Sequence, residues 1–530
     1  MRRWNGWGDE ANEYPLKASG LAFLQQRLGK ATPLPDASLA SVIASVPASR
    51  LVEHALVQTN AEIRIRHSRG QSLPDWLAMR SGKMAPFPDG VAEPETSAQV
   101  RELLDWALSH DVVVIPYGGG TSVAGHINPP ALNAPVLTLS LAKMNTLIDI
   151  DPVSQIATFG AGTAGPALEQ QLREKGYLLG HFPQSWELST VGGWIASRSS
   201  GQQSMRYGRI EQMFAGGRLE SPRGTLVIPT IPASSAGPDL REMVMGSEGR
   251  FGVLTEVKVR VTPLPEKEEF HVAFAPDWDS AVTLVRSMAQ AKLPLSMLRV
   301  SNAEETRSHL KLAGHENLVG WLEKYLSLRG NGDGKCMITF GITGQARACA
   351  HNLAEAKRRI RAAGGIHVGT LLGKKWEESR FRSPYLRHGL WEHGYAVDTL
   401  ETCVDWTRVP ETVARIEQSI RDNCGDEGKV HVFTHLSHLY PQGSSIYTTY
   451  VFRCSATYEE TQARWAQMKK AASDTIAAMG GTISHQHGVG RDHAPWLKHE
   501  KTEQGIAVLD TLVRHFDPTQ QMNPGCLLDK

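Results

Sequence analysis

The sequence predicts an α+β protein, and three observations carry that expectation. β-Branched runs of strand length alternate with long helical segments, and three glycine- and serine-rich segments interrupt them. A Pro263-Leu264-Pro265 break then separates two differently patterned halves. With 41% hydrophobic and 21% charged residues, the composition is that of an ordinary globular protein and excludes disorder along the whole chain. The 56 Lys and Arg against 55 Asp and Glu leave a net charge of +1, so no global field draws nucleic acid or anionic lipid.

In chain order, residues 1–85 mix Leu/Ala segments with polar breaks and read as an N-terminal helical segment without a recognisable site. The pattern sharpens near Pro94. Thr96 and Ser97 offer helix caps, and Val100, Leu103, Leu104 and Leu108 recur at helical spacing. Val112-Val113-Val114-Ile115 follows as a buried strand, which Pro116 is expected to end. Strands are also expected at 136–139 and 156–159, a helix over 167–175, and a half-buried strand where Val253 to Val261 alternates with polar residues. Beyond the Pro-Leu-Pro break, strands at 271–274, 337–340 and 446–452 alternate with helices such as 350–363. The predicted division is 1–85, 86–265, 266–480 and 481–530.

Six scattered cysteines without a CxxC pair read as free thiols in a reducing compartment. Arg2-Arg3 is followed by no apolar stretch, and no apolar run approaches the ~18 residues of a spanning helix. A cytoplasmic location is expected.

Pro116-Tyr117-Gly118-Gly119-Gly120-Thr121-Ser122-Val123 directly follows the first strand. Successive glycines let backbone N–H groups converge on an anion such as a diphosphate, and Thr121 and Ser122 add hydroxyls. The segment matches neither a Walker A loop nor GxGxxG, and taken alone it describes a tight structural turn equally well. Two further segments tip the balance toward a ligand: Ser189-Thr190-Val191-Gly192-Gly193 and Gly246-Ser247-Glu248-Gly249-Arg250-Phe251-Gly252-Val253.

PxGGGTSV, STVGG and GSEGxxGV, in that order and at these intervals, resemble the FAD-binding domain of the vanillyl-alcohol oxidase/p-cresol methylhydroxylase flavoprotein family. The resemblance implies a two-subdomain FAD-binding domain of PCMH type at 86–265 and an α+β substrate cap at 266–480. It also implies a C-terminal segment at 481–530 that returns to the flavin, which Phe516-Asp517-Pro518 and Met522-Asn523-Pro524-Gly525 resemble. It assigns FAD contacts to Pro116, Tyr117, Gly118, Gly119, Gly120, Thr121 and Ser122 in the first motif. Gln184, Ser185, Glu187, Ser189, Thr190, Gly192, Gly193, Ser197, Arg198, Ser199 and Ser200 are assigned around the second. Glu248, Gly249, Gly252, Val253 and Leu254 are assigned in the third. Non-covalent FAD is implied, with His126 and His181 close enough in sequence to keep a covalent link open.

Within that family the chain is most similar to the alkyldihydroxyacetonephosphate synthase branch, of bacterial type. The segments that carry this likeness are Trp4-Asn5-Gly6-Trp7-Gly8, 187–201, Arg206-Tyr207-Gly208 to Glu211, and Ser484-His485-Gln486-His487-Gly488-Val489-Gly490. That branch belongs to ether-lipid synthesis and performs no net redox chemistry. Its flavin N5 attacks acyl-dihydroxyacetone phosphate, the fatty acid leaves, and a fatty alcohol is admitted. The resemblance makes Tyr447 the acid–base residue, Arg387 and Arg299 the arginines needed for activity, and His485 and His487 two of three essential histidines. An unassisted tyrosine has a pKa of about 10, so cationic neighbours are expected beside Tyr447. The fork of Arg387 suits a phosphate dianion, whereas Arg299 reads equally well as half of a surface ion pair. His485 and His487 are expected to share a polar face of one strand.

Gln486 departs from the family pattern, since it stands where a third histidine is expected and cannot carry charge. The rival enzyme is an FAD-linked oxidase or dehydrogenase of a 2-hydroxy acid, of D-lactate, glycolate or D-2-hydroxyglutarate type. Such relatives hold a divalent metal on two histidines and a glutamate. Here His431, His435 and His438 stand nearby, but one expected ligand is Tyr447 and the expected glutamate is Gln486, so no metal is expected. A non-catalytic flavin-binding protein would have no reason to gather these residue types. The resemblance implies a lipid or small-molecule phosphate substrate, a homodimer and peripheral membrane contact, without nucleic acid. No basic amphipathic helix stands out, and the ending Leu528-Asp529-Lys530 is not a peroxisomal address.

Overall fold

Strand pairing organises the chain around three main sheets, described over residues 1–312 and 316–528 in a computed structural model. Asp529 and Lys530, the end of the predicted 481–530 segment, lie outside the described residues.

The first sheet has the order Val57–Gln58, Gly90–Ala92, Val136–Ser140, Val113–Tyr117, with its last three strands parallel. Its strands are nearly all apolar and buried, as parallel strands covered on both faces must be. The helix Ser97–Ser109 covers it. The Thr96 hydroxyl caps that helix by accepting from the Gln99 N–H at 3.2 Å, and Val100, Leu103, Leu104 and Ala107 face inward. The strand at 113 does not stop at Pro116 as expected but runs on to Tyr117. It lies at the edge of the four-stranded order, where a missing N–H breaks no ladder. One residue of its outer edge is taken by the C-terminal segment. The Val114 N–H donates to Gln521 O and the Asn523 N–H donates to Val114 O, both at 2.9 Å. Residues 57–58, placed in the N-terminal segment by the sequence, also join this sheet.

The second sheet is antiparallel, in the order Leu147–Asp151, Ile156–Gly160, Val253–Arg260, Phe214–Ser221, Gly224–Ile228. Both sheets share one core, which also takes in Val513, Met522, Leu527 and Leu528 from the far end of the chain. Thr262–Pro263 pairs with Tyr177–Leu178, and the Leu264 N–H donates to Gly176 O at 3.1 Å. Three residues later a strand of the third sheet begins.

That third sheet has seven antiparallel strands, in the order Ile366–Gly369, Lys267–Ala275, Cys336–Gly344, Met297–Ser301, Val430–Leu436, Gly443–Arg453, Tyr395–Asp405. The period of two sorts its faces. Ile338, Phe340 and Ile342 pack with Ala281, Val285 and Ile360 under the helices, while Met337 and Thr339 face the other way, into a large cavity. Three rows run across the facing strands: His435–Tyr447–Glu401, Phe433–Thr449–Thr399 and His431–Val451–Val397. The face thus grades from polar to largely apolar over five residues of strand.

Phe340 has no exposed surface and stacks on His271 at 5.2 Å. Phe340→Ala leaves a cavity in this packed sheet and is expected to cost about 3–5 kcal/mol of unfolding free energy. A shift of the urea midpoint at unchanged slope checks it, and a loss below about 1 kcal/mol means the sheet closes around the gap.

Candidate active site

A cavity of about 1290 Å³ lies between the glycine segments and the open face of the seven-stranded sheet. The N-terminal residues Leu16, Phe23 and Leu24 also line it, packed with Leu386, Val397 and Val451 into an apolar arm. That volume exceeds the roughly 300–1,000 Å³ of a pocket for one small ligand, so there is room for a dinucleotide and a second molecule.

On the glycine side, residues 116–122 line the cavity, and so do the STVGG and GSEG motifs. Gly119 is required by close approach: a Cβ there would stand 1.9 Å from the Leu188 carbonyl oxygen. Among the described residues, no acceptor is found for the backbone N–H groups of Gly119, Gly120, Thr121 and Ser122. Four successive free donors on a cavity wall fit a diphosphate, and thus FAD, which this structure gives the room and the donors to hold. Gln184, Ser185, Ser197, Ser199, Ser200 and residues 248–254 as assigned also line the cavity.

Two of the assigned contacts do not line it. Glu187 instead accepts from the Tyr385 hydroxyl at 2.8 Å. Arg198 ends the helix Val191–Ser197 in the left-handed region, and its side chain reaches Glu242 at 3.0 Å. His181 is fully buried away from the lining against Ser199. His126 lines the cavity, with Nε2 3.2 Å from a Glu248 oxygen. Burial would push its pKa down, and the Glu248 carboxylate outweighs that and raises it.

The 484–490 stretch is not a strand. It is a loop wrapped around a buried carboxylate of the sheet. Glu401 accepts from the N–H groups of His485 (2.8 Å), Gln486 (3.0 Å) and His487 (2.9 Å) and from the Ser484 hydroxyl (2.9 Å). Burial opposes its ionisation; the rings of His487 and His485 and these N–H donors overcome that, and the carboxyl is held down at about 2. The same loop is caught at its other end by Glu248, which accepts from the N–H groups of Val489 (2.6 Å) and Gly490 (2.7 Å). A Cβ on Gly490 would meet Ala124 O at 1.9 Å, so only glycine allows that approach.

This loop separates the two predicted histidines. His487 lines the cavity, its ring edge-on to Tyr447 at 5.7 Å. His485 does not line it. Its Nε2 lies 2.7 Å from both Arg209 Nη1 and the Tyr440 hydroxyl, and burial keeps the ring neutral. Gln486 stands in the cavity instead, with its Oε1 buried and unpaired among the described residues. The expected shared face fails because a loop curled around a carboxylate does not alternate side chains as a strand does.

Tyr447 and Arg299 both line the cavity. The Tyr447 hydroxyl donates to Thr399 Oγ1 at 3.1 Å, and its ring stacks on His435 at 4.8 Å. The expected depression of its pKa is absent: burial pushes it up to about 12, with Glu401 and Asp398 adding to the rise and Thr399 and Arg299 opposing it. Arg299 is not a surface ion pair. It lies beside the buried Glu305 at 2.7 Å and His435 Nδ1 at 3.1 Å. Arg387 stacks on Trp76, 4.6 Å from the ring, and donates through Nη1 to Gln71 O at 2.7 Å. Its Nε and Nη2 are buried without a partner among the described residues. Burial lowers its pKa only to about 10, so it stays cationic.

Several site residues carried no sequence signal. Glu401 and Glu305 are single polar residues in ordinary strand or helix patterns, Phe23 and Leu24 belong to a plain helix, and the sequence offers His435 only as one of three histidines near a possible metal site. Among the described residues, no group of three or more His, Cys, Asp and Glu side chains is placed to hold a metal ion.

Comparisons with known proteins agree with this geometry. Residues 88–228 match the FAD binding domain model, and 264–527 match the C-terminal domain of FAD linked oxidases. An alkyldihydroxyacetonephosphate synthase of Dictyostelium discoideum is 31% identical over 473 residues, 88% of this chain and 77% of that protein. A solved alkyldihydroxyacetonephosphate synthase superposes with a TM-score of 0.83 at 26% identity, covering 99% of this chain and 98% of the other. p-Cresol methylhydroxylase shares the fold, with a TM-score of 0.67 at 14% identity over 98% of this chain and 99% of its own.

Glu401→Gln is expected to destabilise by about 3 kcal/mol at pH 7, since it leaves several donors facing an uncharged group. The folded pKa of about 2 lies below the ordinary 4.5, so this contribution is present above pH 4.5 and lost as pH falls toward 2. The stability difference between wild type and variant should therefore shrink below pH 4.5 in denaturant titrations. A difference independent of pH rejects the ionised carboxylate as the cause.

Proposed function

The chain belongs to the alkyldihydroxyacetonephosphate synthase family, and from that premise we propose that it exchanges the acyl group of acyl-dihydroxyacetone phosphate for a fatty alcohol. The observation that carries this reading is the composition of one cavity. An unpaired arginine fork, an acid–base tyrosine and an apolar arm share it with the flavin-side donors.

Bound FAD supplies a nucleophilic ring nitrogen to this chemistry, without net electron transfer. The chain's own groups do the rest. Arg387 offers two donors and a charge to the phosphate, in a site where little water competes. Leu16, Phe23, Leu24, Leu386, Val397 and Val451 give the alkyl chains a dry wall. Tyr447 begins as a neutral phenol, an acid rather than a base. It must give up its own proton before it can remove one from substrate, and the neutral imidazole of His487 lies edge-on beside it.

The reading extends to location: a cytoplasmic enzyme meeting its lipids at a bilayer surface. What supports this is the helix Glu316–Leu328. Its inner residues Val319 and Leu326 pack with Leu310 and Leu372, which line the apolar arm. Its outer face exposes Trp321, Tyr325 and Leu328, with Lys324 and Arg329 beside the two aromatic rings. No helix among the described residues is long and apolar enough to cross a membrane.

Anaerobic visible spectroscopy of the flavin-loaded protein tests the reaction. The expected result is loss of colour with acyl-dihydroxyacetone phosphate, release of fatty acid, and return of colour with a fatty alcohol and no oxidant. Bleaching by a 2-hydroxy acid that only an electron acceptor reverses would overturn it. Tyr447→Phe should keep flavin yet lose roughly 10²–10⁴ in turnover. Arg387→Lys should weaken phosphate-ester binding more than a surface Arg→Lys change does. Unchanged kinetics in both would remove these roles.

A further inference from the structure

Exchange of a carboxylate for an alcohol leaves one proton over at neutral pH. The alcohol's O–H bond breaks and its oxygen bonds to the terminal dihydroxyacetone carbon. The bond from that carbon to the ester oxygen breaks, and the acid departs as its anion. Some group in the cavity must take the alcohol's proton and pass it to solvent. Tyr447 is poorly placed for this, because it already carries its own proton and donates it to Thr399.

We propose that His435, oriented by Glu305, is the base that takes the hydroxyl proton of the incoming fatty alcohol. The proposal rests on the acyl-for-alkyl reading above and adds a residue to it. Glu305 Oε1 lies 2.9 Å from His435 Nδ1 and is buried, so it fixes the proton on Nδ1 and leaves Nε2 as the free base. Among the described residues Nε2 has no hydrogen-bond partner, and His435 lines the cavity. Arg299 Nη2 donates to the same Glu305 oxygen at 2.7 Å and stands 3.1 Å from His435 Nδ1, where the carboxylate is the stronger acceptor for both groups, and the Tyr447 ring stacked at 4.8 Å fixes the imidazole plane. The charged and titratable groups around the ring are Glu305 and His309 from the helix Ala303–Leu312, Arg299 from its neighbouring strand, Tyr447 from the other, and His438 beyond the strand end.

Position argues the same way. Along the strand Val430–Leu436, Phe433 and His435 are successive cavity-facing residues, and Phe433 sits one row nearer the Val451–Val397 wall. An alkyl chain lying on that wall would bring its hydroxyl end to the row that holds His435 and Tyr447.

The test separates two exchanges that the flavin-loaded enzyme should catalyse on acyl-dihydroxyacetone phosphate. Ether formation with hexadecanol needs a proton removed, whereas exchange with labelled free palmitate, already an anion, does not. His435→Gln is expected to lose about 10²-fold or more in ether formation while palmitate exchange stays within a few fold. Glu305→Gln keeps the imidazole and should lose less. The acid limb of its ether-forming pH profile should move to lower pH, because the carboxylate raises the imidazole's hold on a proton. Parallel loss of both exchanges in a His435→Gln protein that still binds flavin, loss of neither, or an unshifted acid limb in Glu305→Gln overturns the proposal. A wild type inactive in both exchanges overturns the acyl-for-alkyl reading itself, a different failure.

Discussion

Two buried carboxylates hold one loop between two halves of the molecule. Glu401 rises from the seven-stranded sheet and gathers four donors from residues 484–487. Glu248 comes from the glycine-rich side and takes the N–H groups at 489 and 490. An ionised carboxylate in a low-dielectric setting is tolerated only with such a set of donors, and the donors likewise have no water to turn to. Neither half can shift without orphaning charge on one side of the loop. Glu248 also anchors the chain's end: Asn523 donates to its backbone carbonyl at 2.9 Å and to that of His126 at 3.0 Å.

The clamp decides which side chains face the reaction. A loop curled around Glu401 turns His485 outward, where Arg209 and Tyr440 hold it, and turns Gln486 and His487 inward. Arg209 extends the arrangement. It bonds Glu211 and the Arg198 carbonyl on the flavin side, and the His485 carbonyl in the loop. His485 is thus turned away from the cavity in this structure, and Gln486 faces it instead.

The facing sheet supplies the complementary order. Its pleat sends alternate residues inward, and its register aligns them in rows that pass from Glu401, Tyr447 and His435 to Val397, Val451 and His431. Polar and apolar surface therefore lie roughly 13 Å apart on one face, and Arg387 approaches from a helix outside the sheet. Burial explains why Tyr447 is a stronger holder of its proton than its supposed role suggested. Of the cationic neighbours expected beside it, Arg299 is near enough to oppose the rise, but it is paired with Glu305 and burial outweighs it.

The sequence by itself determined the α+β class, most strands, the Pro-Leu-Pro break and the glycine segments, because these rest on local periodicity and on backbone freedom that neighbouring residues display directly. It also marked Tyr447, Arg387 and His487 through motif likeness. Pro116 misled because whether a proline ends a strand depends on whether that strand is at an edge. The roles of Glu401, Glu305 and His435, the outward turn of His485 and the apolar arm built partly from residues 16–24 were decided only by tertiary structure. A carboxylate's partners lie some 80 to 130 residues away in these cases, and no local pattern records which distant donors will meet it.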